Sequence, residues 1–419
     1  MNHTTIKLRL TAMNFLEFAI WGAYLTSMGR YLADVGMGGQ IGWFYSVQGI
    51  VSIFMPGLMG MVADRWVPAQ RMLGLCHLLA AGFMAAAATY AMTAGPDVAF
   101  GTLFALYTAS VAFYMPTLAL SNSVAFTALT NSGMDTIKDF PPIRVFGTVG
   151  FIVTMWAVDL MGYMGSYHQF FVSAGLGLLL AIYSFTLPNC PVAAHTEKKS
   201  LVQALGFDAF KLFKERRMAI FFIFSFLLGV SLQITNGFAN PFIDSFKNIP
   251  EYAETFGVQH TGILISLSQI SEAFCILLIP FFMKRFGIKR VMMIAMLAWV
   301  LRFGLFGLGN PGPGVWLFVL SMIVYGVAFD FFNVSGSLFV DQNTPASIRS
   351  SAQGLFMIMT NGCGSTLGMI AAQAVVDHFT SPAGLTNWTP VWYIFASYAL
   401  VVLLLFALVF REKPSRNMN

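Results

Sequence analysis

Stretches of about 20 predominantly apolar residues recur along the whole of this 419-residue chain, and each is long enough to cross the hydrocarbon core of a bilayer. Lipid offers no water to exposed backbone N–H and C=O groups, so such a chain folds as helices that satisfy their own backbones. Composition agrees: 57% of the residues are hydrophobic and 10% charged, whereas a soluble domain carries about a quarter charged residues. Lys7 and Arg9 precede the first apolar run, but that run outlasts a signal segment and contains Glu17, so it reads as a first span. Cys76, Cys190, Cys275 and Cys363 have no paired spacing and support neither a disulfide framework nor a zinc site.

Hydropathy places about twelve spans, near 7–31, 41–63, 72–93, 99–122, 142–163, 168–188, 218–241, 260–283, 290–309, 315–340, 350–375 and 389–410. Pro188 and Pro191 close the sixth, because proline cannot continue a helix. The long, charged connection 189–217 then separates an N-terminal six-helix bundle (1–188) from a C-terminal one (218–419). Within it, LVQALGFDAFKLF has helical apolar spacing and is expected to lie along the membrane surface as an interfacial helix; a flexible linker is the alternative. Both termini are expected in the cytoplasm. Of the 23 Lys and Arg, only Arg30 and Lys247 then fall outside, and Arg144 and Arg302 fall within the membrane, which satisfies the positive-inside rule. The net charge of +5 therefore reports topology and not nucleic-acid binding.

The two halves echo each other. GMVADRWVPAQR (60–71) follows span two and FFMKRFGIKR (281–290) follows span eight, its counterpart. A basic residue with downstream glycines recurs at the entries to spans five (Arg144, Gly147, Gly150) and eleven (Arg349, Gly354). Parallel repeats of this kind build transporters around a midplane site. The first stretch resembles the cytoplasmic loop motif of the major facilitator superfamily, with Gly60, Asp64 and Arg65 matching best and the usual following glycine and second basic pair missing. That resemblance implies a structural and gating role for these three residues, and an all-α fold of twelve transmembrane helices in two six-helix bundles.

Ionisable groups at bilayer depth cost roughly 2.5–3.5 kcal/mol each on insertion scales, so each demands a reason. Glu17, Arg144, Glu272, Arg302 and Asp330 are the candidates, joined by the amides of Gln233, Asn236, Gln269 and Asn333. Arg302 on span nine and Asp330 on span ten come out at similar depths, about 18–20 Å and about 15 Å from the cytoplasmic side at 1.5 Å per residue. An ion pair between them is one reading, a permanently protonated Asp330 bonded to a neighbouring helix a second, and a carboxyl that takes up and releases a proton the third. A switchable Arg302 pair would join the first reading to the third.

Helical spacing gathers the polar groups into edges. Gln233 and Asn236 are i, i+3, as are Gln269 and Glu272; Arg144, Thr148 and Phe151 are i, i+4, i+7; Tyr325 and Phe329 are i, i+4, with Asp330 about 100° further round. Such edges suit a polar, near-neutral ligand with an aromatic part: amides pair with the edge of a base, aromatics stack on its face, and acids and amides take sugar hydroxyls. Acids outnumber arginines here, which argues against a phosphate-bearing substrate.

FPPIRVFGTVGF, RMAIFFIFSFLLG, LQITN, SQISE and IVYGVAFDFFNVSGSLFV resemble the bacterial nucleoside:proton symporter family, over essentially the whole chain. The resemblance implies a proton-coupled nucleoside importer of the bacterial inner membrane, taking nucleosides such as uridine and adenosine, without a cofactor, and working as a monomer. It assigns substrate contact to Arg144, Thr148, Phe151, Gln233, Asn236, Gln269, Glu272, Tyr325 and Phe329, and marks Asp330 as functionally critical. The family pattern more usually has an amide at Glu17. An acid there joins the proton-coupling candidates Asp330 and Glu272, or simply bonds a neighbouring span. A proton-coupled sugar or oligosaccharide symporter and a transporter-derived ligand sensor remain as alternatives. No nucleotide-binding loop, metal spacing or nucleophile–base pair appears, which argues against ATP-driven transport and against an enzyme. GCGSTLGMIAA (362–372) reads as helix packing.

Overall fold

The computed structural model describes residues 2–190, 207–344 and 349–410, apart from a few side chains within those ranges. It is helical throughout. In the N-terminal half the helices are α1 (His3–Gly22), α2 (Met28–Asp34), α3 (Ile41–Arg65), α4 (Ala69–Ala94), α5 (Phe100–Asn131), α6 (Thr136–Leu160) and α7 (His168–Ser184). In the C-terminal half the α-helices of seven residues or more are α8 (Arg216–Leu232), α9 (Ile234–Ser245), α10 (Thr261–Leu308), α11 (Val315–Asn343), α12 (Arg349–Met357), α13 (Ser365–His378) and α14 (Trp388–Val409).

Among the described residues, nine helical stretches are long and apolar enough to cross a membrane. One of them, α10, has 48 residues, about 72 Å at 1.5 Å per residue and more than two bilayer cores. It turns back at Gly287, whose φ of 76° and ψ of 170° lie outside the helical region, so α10 holds two crossings. With α1 and α7 the count reaches twelve. The sides that face away from the core carry large apolar groups, among them Leu277 at 73%, Phe281 at 64% and Leu408 at 76% exposure, as a lipid-facing surface requires.

Three breaks interrupt the regular pattern. The first span of each half is split, between α1 and α2 over residues 23–27 and between α8 and α9 at Gln233. Span eleven widens into a π-helix over Ile358–Gly364 between α12 and α13. Split and π-distorted helices free backbone groups near the membrane centre, the places where transporters build binding sites. Gly60–Arg65 forms the last turns of α3 and is not a loop, and a Cβ at Gly60 would meet open space. The side chains of Asp64 and Arg65 lie outside the described residues. So do residues 201–206 of the expected 201–213 surface helix; the remainder belongs to Phe207–Lys214, a short 3-10 helix whose Phe213 ring meets Phe222 at 5.5 Å.

Polar contacts between the halves, among the described residues, gather at the end away from the termini. Arg30 binds Asp244 at 2.9 Å, and Lys247 reaches Asp34 at 3.4 Å and Asp244 at 2.6 Å. The Asp159 carboxylate accepts from the Ile263 N–H at 2.8 Å, in the first turn of α10. Gln373 accepts from the Gly42 N–H at 2.7 Å and donates to the Gly38 carbonyl at 3.0 Å. One turn deeper, the Trp156 indole donates to Ser266 at 2.7 Å.

Candidate functional site

The site is assembled where α1, α6, α8–α9, α10 and α11 approach one another. On α6, Arg144 lies with its guanidinium carbon 3.9 Å from the Phe18 ring centre on α1. Gly147 makes this possible: a Cβ there would come within 2.6 Å of the Phe18 ring and 2.9 Å of the Arg144 guanidinium. One turn on, Thr148 is half-buried, and the buried Phe151 meets Trp21 edge-on at 6.4 Å. At the break in span seven, the Asn236 amide donates to Gln233 Oε1 at 2.8 Å, so the i, i+3 pair expected from spacing is formed.

On the other side, Gly326 lets α11 settle against the backbone of Ser271 and Glu272, where a Cβ would come within 2.6 Å of Ser271 and 2.7 Å of Glu272. Asp330 follows one turn along α11. Glu272 and Asp330 lie within electrostatic reach of each other, and Arg144 reaches both. Three helices from two halves thus bring one cation and two acids within electrostatic reach of one another. The rings of Tyr325 and Phe329 stack 5.7 Å apart beside them. Three buried polar atoms here, Asp330 Oδ2, Gln269 Oε1 and Trp21 Nε1, have no hydrogen-bond partner among the described residues. Each costs about 1–3 kcal/mol if left unsatisfied, which a fold tolerates where a ligand or a proton will meet it.

Arg302 corrects an expectation, for it makes no ion pair with Asp330. Its guanidinium donates to the Ser321 carbonyl at 2.8 Å, to Ser268 at 3.3 Å and to Thr235 at 3.4 Å. It also lies 4.4 Å from the Tyr325 ring centre. Ser321 precedes Asp330 by nine residues on α11, about 13 Å along the helix. Depths read from span ends err by several residues, and at 1.5 Å each that is enough to pair groups that never meet. Arg302 is a buttress for the Tyr325–Phe329 wall.

Glu17 faces elsewhere too. Its carboxylate meets His77 Nε2 at 2.8 Å and accepts from Thr117, while the Tyr114 hydroxyl donates to its backbone carbonyl at 2.8 Å. This cluster was missed in the sequence because His77 stands alone on a span with no other charge. The usable signal is that Glu17 and His77 are both titratable groups deep in apolar runs of one half.

Two packed bundles with split first helices, around a cluster of two acids, an arginine, amides and stacked rings, define a secondary transporter of the major facilitator fold. The comparisons carry this further. Residues 4–415 match the family model described as nucleoside H+ symporter. The chain is 49% identical to the xanthosine permease of Escherichia coli (strain K12), over 97% of this chain and 96% of that one. It is 48% identical to nucleoside permease NupG of the same strain, over 98% and 97%. The crystal structure of nucleoside transporter NupG superposes with a TM-score of 0.89, covering 99% of this chain and 100% of that one at 47% identity. A D-xylose-proton symporter, at 14% identity and a TM-score of 0.70 over 98% and 99%, shares the fold alone. The chain belongs to the nucleoside H+ symporter family. It is a multi-pass membrane transporter that couples nucleosides to protons, and not an enzyme.

Proposed function

We propose that this protein imports nucleosides such as uridine and adenosine across a bacterial inner membrane, as a monomer with both termini in the cytoplasm. The observation that carries the reading is the Arg144–Glu272–Asp330 cluster, one cation and two acids within electrostatic reach of one another, beside polar atoms without a partner among the described residues. Arg144, Thr148, Phe151, Gln233, Asn236, Gln269, Glu272, Tyr325 and Phe329 are the substrate contacts: rings for the base, amides for its edge, the carboxylate for ribose hydroxyls. Asp330, with Glu272, carries the proton. Protonating one acid frees Arg144 from it, and the guanidinium then turns to the other acid or to the substrate. In this way proton and nucleoside occupancy become linked through one side chain.

Alternating access follows if residues 1–188 and 218–419 move as two bodies joined by 189–217. In the described state the contacts of Arg30, Asp34, Asp159, Asp244 and Lys247 close the end remote from the termini, which this orientation makes the periplasmic end. The test is uptake of labelled uridine and adenosine into proteoliposomes with and without an inward proton gradient. Accumulation that requires the gradient supports nucleoside import. Folded, inserted protein that takes up neither would sink the substrate assignment.

A further inference from the structure

The N-terminal half holds a second titratable pair, apart from the central acids. Glu17 and His77 are at most 1% exposed, with Glu17 Oε2 and His77 Nε2 2.8 Å apart. They join α1 to α4, and the Thr117 hydroxyl joins both to α5 through the other carboxylate oxygen. The cavity beside them, of about 10 Å³, is lined by Tyr24, His77, Ser110, Tyr114 and Ser173 among others. It has room for one water at most and none for a nucleoside.

The groups facing this pair explain why it matters. Among the described residues, α4 presents Cys76 and His77, α5 presents Tyr114, α6 presents Arg144, and α7 presents only Ser173 and Gly177. Arg144 is the one permanent cation there, and it lies within electrostatic reach of Glu17 as well as of Glu272 and Asp330. An unneutralised Glu17 carboxylate would compete with the central acids for that guanidinium. A proton held between the two, which lie 2.8 Å apart, would make the pair neutral, and an uncompensated charge so deeply buried is costly.

The geometry points to His77 as a positioning residue of the transport site. It neutralises Glu17, which fixes the α1 segment carrying Phe18 and Trp21 and leaves the Arg144 guanidinium to Glu272, Asp330 and the substrate. This rests on the assignment of Arg144 to the substrate site.

The test is a cycle of four full-length proteins: the parent, E17Q, H77N and E17Q/H77N. Uridine binding is measured by calorimetry at about pH 5 and about pH 8, the window in which histidine-linked effects are read. H77N is expected to bind roughly tenfold more weakly at the higher pH and less so at the lower, with E17Q restoring the double variant to within about twofold at both. A pair that served packing alone would give no rescue and no pH dependence. The idea is overturned if H77N binds like the parent at both pH values, or if the double variant is as weak as H77N. A parent that binds no uridine would sink the uridine assignment by itself. The melting temperatures of the same four proteins then decide: rescue of H77N by E17Q supports the neutral pair, and additive losses refute it.

Discussion

At the scale of single residues, Asp330 and Arg302 illustrate how differently two buried charges can be employed. Asp330 keeps one carboxylate oxygen without a partner among the described residues, and it lies within electrostatic reach of Glu272 and Arg144. One proton moved with each nucleoside supports about tenfold accumulation per pH unit, the equivalent of 1.4 kcal/mol. Asp330→Asn is therefore expected to reduce uphill accumulation to near equilibrium while nucleoside exchange across the same proteoliposomes continues. Accumulation at the parent level would remove Asp330 from the proton path. Arg302, by contrast, is bound up in neutral partners and an aromatic face. Arg302→Gln should cost about 1.5–3 kcal/mol of stability, the range for hydrogen bonds to a charged group. Adding Asp330→Asn should not restore it, and the two losses should sum to within about 0.5 kcal/mol. Thermal unfolding of the two single variants and the double variant measures this; a rescue would reinstate the ion pair.

Helices reach the site through small residues that let backbones touch. Gly326 sets α11 on α10 at Ser271–Glu272, and Gly147 leaves the space in which Phe18 meets Arg144. Gly326→Ala would force a Cβ within 2.7 Å of the Glu272 backbone nitrogen, where a backbone atom cannot step aside as a side chain would. The cost is about 1–3 kcal/mol, and the displaced Glu272 should raise the half-saturating uridine concentration more than it lowers maximal uptake. An unchanged uptake curve would mean that the contact is looser than the structure has it. The breaks after Gly22 and at Gln233 belong to the same scale: they put Trp21, Gln233 and Asn236 beside irregular backbone. Their i, i+3 and i, i+4 relations could be read in the sequence; the breaks beside them could not, since no proline stands at either one.

For the whole molecule, the question is what holds one end closed. Asp244 is central, binding Arg30 from the other half and Lys247 from its own, which in turn reaches Asp34. Arg30, Asp34 and Lys247 are partly exposed around the buried Asp244 carboxylate, so solvent screens the network and it is worth about 1 kcal/mol, roughly fivefold in population. Asp244→Asn should shift the ensemble by that factor towards separation at this end. Spin labels at Ala33 and Ser381, both exposed and in opposite halves, would report a longer distance component. High salt should have the same effect on the parent, because exposed pairs are screened. A distance distribution unchanged by both would assign closure to the Asp159 and Gln373 contacts instead.

That the chain spans a membrane as helices, how many times, and which residues carry polarity into lipid can all be read along the sequence. Those properties follow from local hydropathy and from the obligation of each backbone to satisfy itself in lipid. The sequence also shows which groups share a helix edge, since periodicity settles that within one element: the Asn236–Gln233 hydrogen bond formed where spacing put it. Which edges meet was decided only by the tertiary structure. Arg302 and Asp330 come out at similar depths when counted from span ends, yet Arg302 meets Ser321 and Tyr325, and Ser321 lies about 13 Å before Asp330 along α11. Glu17 turned to His77, 60 residues away. Partnership between helices depends on the rotation and offset of each about its own axis, which small residues such as Gly326 and Gly147 set through contacts that no single span contains.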